Sequence, residues 1–122
     1  MLFMRWLDQI LEVPGGVFLF LTIAASLEVF GDAFFQSAVH RASSESRWLS
    51  VAAGALTLSC YGLVVNLPRW DFGKLLGLYV VFFFLVTQVV ARVRFNQPLT
   101  LPVVVGGSMI VAGGAIIYFW KG

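Results

Sequence analysis

Cysteine, histidine, proline and charge are all scarce in this sequence, and each shortage excludes something. Of 122 residues one is cysteine, Cys60, one is histidine, His40, and four are proline. A lone cysteine forms neither an intrachain disulfide nor a thiolate metal cluster. His40 has no second imidazole and no clustered sulfur beside it, so no metal site is expected. No hydrolytic triad, phosphate-cradling glycine loop or nucleotide signature occurs, which argues against an enzyme and against a cofactor. Charged residues make up only 11% of the chain, eight Lys and Arg against six acids for a net charge of +2. They gather mainly at the ends of apolar runs and form no basic tract that could follow a nucleic acid, so no nucleic-acid partner is expected.

What fills the chain is apolar: 60% hydrophobic residues and a mean hydropathy of +0.92. That leaves too little polar surface for an ordinary soluble domain. Spanning about 30 Å of hydrocarbon takes about 20 helical residues. Four runs meet that length, approximately 16–38, 48–67, 72–93 and 99–120. Before them, residues 1–14 carry Leu2, Phe3, Trp6, Leu7, Ile10 and Leu11 at helical spacing, with Arg5, Asp8, Gln9 and Glu12 between. This fits a cleavable signal peptide poorly and a short amphipathic helix at the membrane surface well, ended by the bend at Pro14, Gly15 and Gly16. The predicted class is an all-α polytopic membrane protein: residues 15–122 form a four-helix transmembrane domain behind an interfacial segment. Trp6, Trp48, Trp70 and Trp120 fall near the ends of these elements, as interfacial anchors do. With four helices, Arg5, Arg69, Lys74 and Lys121 lie on one side and Arg41, Arg47, Arg92 and Arg94 on the other. Such a tie gives the positive-inside rule no preference. Insertion in both orientations would produce it, and so would a subunit oriented by its neighbours.

Against this apolar ground, LTIAASLEVFGDAFFQ (residues 21–36) places Glu28, Asp32 and Gln36 at steps of four, which puts them along one side of a helix. A carboxylate at mid-bilayer costs several kcal/mol, so each acid must face protein or water, pair with a base, or hold a proton. Two acids one turn apart titrate as a coupled unit. Such a pair suits proton-linked exchange of a cation; it equally suits a polar fastening to Arg92 or to another subunit. Gln36 and Gln88 read as interhelical hydrogen-bonding groups. Small residues offer helix-packing surfaces: Gly73 and Gly77 form a GxxxG pair, and Gly106, Gly107, Gly113 and Gly114 line much of the fourth span. Tyr79 is the aromatic residue best placed to meet an organic cation.

Taken together, LEVFGDAFFQ and the later FNQPLTLPVVVGGSMIVAGGAII (residues 95–117) make the chain resemble the small multidrug resistance (SMR) proteins. These are four-helix members of the drug/metabolite transporter superfamily. In that family a first-helix glutamate, in a context close to AEVxGTxxxK, binds protons and cationic substrate at the centre of an antiparallel dimer. A short F-G-Q-x-L-x-L-P pattern there precedes a glycine-rich dimerising helix. The resemblance maps the functional glutamate to Glu28 and its following glycine to Gly31. It matches Gly73 and Tyr79 to the third helix's glycine and substrate-facing tryptophan. It departs where Gln36 replaces a lysine, where Asp32 replaces a small or hydroxyl residue, and where Leu76 replaces a tyrosine. Val81 and Phe83 stand at the family's kink glycines, which should stiffen the helix.

The resemblance implies a homodimeric transporter of the bacterial cytoplasmic (inner) membrane, in contact with lipid. It would export or exchange a small cationic or amphipathic compound, with proton coupling, and with Glu28, Asp32 and Tyr79 binding substrate or protons. The alternative is a non-transporting accessory subunit held in a larger membrane complex. A flippase for a lipid-linked substrate, of the same superfamily, is a third reading.

Overall fold

The first eleven-residue element already shows the rule that builds the chain, an apolar stripe seeking cover. In the computed structural model, which describes residues 2–40 and 43–121, α1 (Leu2–Glu12) buries Leu7 and leaves Leu2, Phe3 and Trp6 exposed. An amphipathic helix with an uncovered apolar side suits the headgroup layer. It ends in a tight turn in which the Gly16 N–H donates to the Val13 carbonyl at 2.9 Å. Gly15 takes φ +82°, and a Cβ on Gly16 would overlap the Ile10 carbonyl. Glycine is thus required twice in succession, once for backbone conformation and once for space.

Two compact units follow from the packing, residues 1–68 and 69–122. In the first, α1 packs on α2 (Gly16–His40), and α2 packs along α3 (Ser44–Val65). The α2–α3 crossing is set by two glycines. A Cβ on Gly54 would stand 3.1 Å from the Gly31 carbonyl oxygen and 2.8 Å from the Phe35 ring, and a Cβ on Gly31 would stand 2.6 Å from Leu58. Only bare backbone permits that approach, the usual means of helix packing where no hydrophobic drive exists.

Helix α3 begins four residues before the expected 48, because Ser43 caps it: the Ser46 N–H donates to Ser43 Oγ at 3.5 Å, with Glu45 in the first turn. Arg47 therefore lies in the helix, and its Nε donates to the Ala38 carbonyl at 3.0 Å, satisfying one of the open carbonyls at the end of α2. Arg41, counted above among the charges of this loop, lies outside the described residues.

In the second unit α4 (Phe72–Phe95) packs against α5 (Leu101–Phe119). Lys74 Nζ sits 5.5 Å from the Trp70 ring centroid at the start of α4, a cation–π contact at the expected interfacial turn. At the far end Asn96 adopts the left-handed conformation (φ 55°), and the Gln97 N–H returns to the Ala91 carbonyl at 3.0 Å, so α4 runs two residues past the expected 93. Pro102 lies in the first turn of α5, where its missing N–H costs no hydrogen bond.

Knobs on one helix meet glycines on the other. Val81 seats on Gly114, Phe84 on Gly107, and Ile117 on Gly77. These contacts account for the only buried residues of α5, Gly107 and Gly114. Gly73, Gly106 and Gly113 face open space within the chain.

Four helices, α2 to α5, are long and apolar enough to cross a membrane. Large apolar side chains along them are widely exposed, including Leu56 at 69%, Leu63 at 74% and Met109 at 72%. Such surfaces belong in lipid or against protein. The chain is an all-α polytopic integral membrane protein with one further helix at its start.

Because Val81 is stiff at χ1 and Phe84 is a rigid ring, neither can yield to an added methyl. Gly114→Ala and Gly107→Ala are expected to destabilise the α4–α5 hairpin by about 1–3 kcal/mol. Gly106→Ala and Gly113→Ala should change it by less than about 0.5 kcal/mol. Thermal unfolding of the detergent-solubilised chain compares the four; equal loss in both pairs would refute the assignment of faces.

Candidate functional site

Glu28 is the central residue of α2 (Gly16–His40). At 1.5 Å rise per residue it stands about 18 Å from either helix end, which is the midplane of a bilayer that α2 spans symmetrically. Asp32 is one turn, about 6 Å, nearer the C-terminal end. Neither carboxylate is long enough to reach the headgroups from there, as a terminal lysine or arginine would.

The helix repeat explains how the two acids differ in exposure. Each step of four residues turns about 40° further round the axis, so a row of three drifts off the face it starts on. Glu28 lies close beside the packing face of Ala24, Gly31 and Phe35 and is half-buried, whereas Asp32 and Gln36 are exposed. The Gly31–Gly54 crossing thus anchors the polar row next to the α2–α3 contact and turns its outer members away from it.

Within the first unit neither Glu28 nor Asp32 forms an ion pair among the described residues, and Arg92, offered above as a partner, belongs to the second unit. Two hydroxyls on the same helix bond to its own backbone, Thr22 Oγ1 donating to the Phe18 carbonyl at 2.7 Å and Ser26 Oγ to the Thr22 carbonyl at 2.8 Å, whereas the buried Ser37 Oγ has no hydrogen-bond partner among the described residues. Among the described residues no three His, Cys, Asp or Glu gather as metal ligands would.

Tyr79 lies in the second unit. Its ring is buried, 4% exposed, with its centroid 6.3 Å from that of Phe83 at a tilt of 41°. Gln88 is half-buried on α4 and lines a groove with Arg92 and Gln97. Gly77, Gly107 and Gly114 serve the α4–α5 contact, and Gly73, Gly106 and Gly113 do not. Two residues that sequence reasoning passed over matter here. Gly54, in the run AAGA, makes the crossing beside Glu28, and its only sequence signal is a cluster of small residues. Arg47 holds the end of α2; a serine cap just upstream was the available sign that it begins a helix rather than sitting in a loop.

Compared with models of known families, with curated proteins and with solved structures, the chain matches none of them.

An assembly contact and a functional carboxylate respond oppositely to neutralisation. A carboxylate kept for function at mid-membrane works against stability, so Glu28→Gln and Asp32→Asn are expected to leave unfolding of the solubilised chain unchanged or to raise stability by up to about 1 kcal/mol. A loss of about 3 kcal/mol or more in that melt would mark a broken buried pair instead.

Proposed function

We propose that the chain is a small transporter of the SMR type, which exchanges protons for a small lipophilic cation at Glu28, assisted by Asp32. The observation that carries this reading is a carboxylate at the centre of an apolar helix long enough to span a membrane, with no ion pair to a described base of its own unit. A deprotonated Glu28 attracts a cation into a region of low dielectric, where opposite charge is strongly favoured, and a returning proton cancels that attraction. Asp32, one turn away, makes the site a coupled pair, so that proton uptake at one carboxylate depends on the state of the other. The exposed row at Asp32 and Gln36 calls for a polar cover, and a second copy of the chain supplies one, completing a central site from two α2 helices. Tyr79 is matched by resemblance to a substrate-facing aromatic, a residue type whose ring face attracts organic cations. A bacterial cytoplasmic membrane supplies the proton gradient that such exchange needs.

A second reading, an accessory subunit of a larger membrane complex, draws on α4. That helix is continuous from Phe72 to Phe95, and Val81, at the family's kink position, is buried against Gly114. A helix packed in this way bends less readily than one with glycine there. In this reading the exposed polar row meets a partner's basic or amide groups.

Reconstituted vesicles distinguish the two. With an acidic interior, outward proton flow should drive uptake of a lipophilic cation, and an alkaline interior should reverse the direction. Glu28→Gln is expected to reduce proton-driven uptake by at least about 100-fold, in the range found when a positioned acid–base group is removed. Asp32→Asn should retain transport with a shifted pH profile. Equal uptake by wild type and Glu28→Gln would overturn the transporter reading, and recovery of the chain in a fixed ratio with unrelated subunits would favour the accessory one.

A further inference from the structure

The second unit contains a feature that plays no part in cation exchange. A groove of about 580 Å³ opens where α4 meets the α4–α5 connection, with Gln88, Arg92 and Gln97 at its mouth. A further groove of about 500 Å³, reaching Ala115, continues it between α4 and α5, and the two share Gln88 and Leu99. The floor is apolar, with Leu85, Val104 and Val111 along it. The charge is therefore at one end, with Gln88 at the junction of the two grooves, and Ser108, the hydroxyl further along, donates to its own helix at the Val104 carbonyl.

The placement and charge of that end narrow what can occupy it. Arg92 lies in the last turn of α4, at headgroup depth, and is exposed. No carboxylate lines either part of the groove, and Arg92 forms no ion pair among the described residues. Helix α5 starts at the same end, and the partial positive charge of its N-terminus adds to that of Arg92. From Leu101 to Ala115 the α5 wall rises about 21 Å, enough to pass through the roughly 15 Å of one leaflet's hydrocarbon. An occupant that meets all of these conditions has an anionic head and one long apolar chain.

We infer that this groove binds an anionic phospholipid of the surrounding bilayer, with its phosphate on Arg92, hydrogen-bonded also by Gln88 and Gln97, and one acyl chain laid between α4 and α5. A guanidinium recognises a phosphate through two parallel hydrogen bonds; phosphatidylcholine carries the same phosphate, but its choline cation cancels the headgroup's net charge and is repelled by Arg92 and the α5 N-terminus, so the site favours anionic over zwitterionic lipid. The bound chain covers apolar helix surface that the protein leaves open. This site is separate from the α2 carboxylates, and its existence does not depend on transport.

Native mass spectrometry of the full chain in mild detergent, with phosphatidylglycerol and phosphatidylcholine of matched acyl chains, tests the site. The chain is expected to retain one phosphatidylglycerol with a preference of about tenfold over phosphatidylcholine, the scale set by one charge-assisted contact. Arg92→Gln should bring that preference below about twofold, whereas Arg94→Gln, outside the groove lining, should leave it in place. Ser108→Trp, which puts a large side chain into the groove, should reduce occupancy for both lipids while Arg92 stays intact. Melting each variant beforehand identifies any that is misfolded, and Arg92→Lys provides a milder second variant, expected to keep part of the preference. Glycerol phosphate added alone should not displace the lipid. Equal retention of both lipids would overturn the inference, as would equal effects of Arg92→Gln and Arg94→Gln or displacement by the free headgroup. Loss of a dimer with unchanged lipid binding in Ser108→Trp would overturn it too, by showing a second copy in the groove.

Discussion

Helices in a bilayer cannot be driven together by burying apolar surface, because lipid is as apolar as they are, and so they pack where backbones come close enough for dense dispersion contact. In this chain that closeness is provided by glycine. Gly31 and Gly54 set the α2–α3 crossing, and Gly77, Gly107 and Gly114 receive Ile117, Phe84 and Val81 between α4 and α5. A larger residue at these points would separate the backbones and alter everything the helices hold in place.

The carboxylates depend on the first of these crossings. Gly31 lies between Glu28 and Asp32 in sequence, so the contact that orients α2 also decides which side of the helix each acid occupies. Glu28 comes to lie beside the packed face at the middle of the span, and Asp32 and Gln36 rotate outward. The arrangement leaves one acid half-buried and the next exposed, one turn apart. The second unit separates charge from apolar surface in another way: Arg92 and two glutamines line the part of a groove nearest the α4–α5 connection, and the rest of its lining is apolar except for Ser108, an arrangement suited to an amphiphile rather than to a soluble ion.

Much of the fold was legible because hydrophobic run length and helix period are local properties. The four spans and the amphipathic start follow from counting apolar residues, and the element ends moved by only a few positions where a cap intervened. Ser43 began α3 early and Asn96 let α4 continue, since a side-chain or left-handed cap satisfies backbone groups at a point that hydropathy does not mark. Glu28 and Asp32 were conspicuous for the same local reason, as charges inside an apolar run. The glycines of the fourth span were visible as a group, but their division was not: Gly107 and Gly114 face α4, whereas Gly106 and Gly113, each one residue earlier, do not. A turn of about 100° per residue separates adjacent positions, and only the neighbouring helix selects between them.

By itself, then, the sequence determined that the chain is helical, that four of its runs are long and apolar enough to cross a membrane, and that two acids lie well inside the first of them. Composition and periodicity suffice for these, because a bilayer admits no backbone without internal hydrogen bonds and no unserved charge. Tertiary structure alone decided that Gly54 rather than a larger neighbour meets Gly31, that Arg47 ties down the end of α2, and that Val81 and Phe84 seat on Gly114 and Gly107. Those are contacts between residues distant in sequence or across a turn, fixed by how closely two helices approach and at what rotation, and no local pattern carries that information.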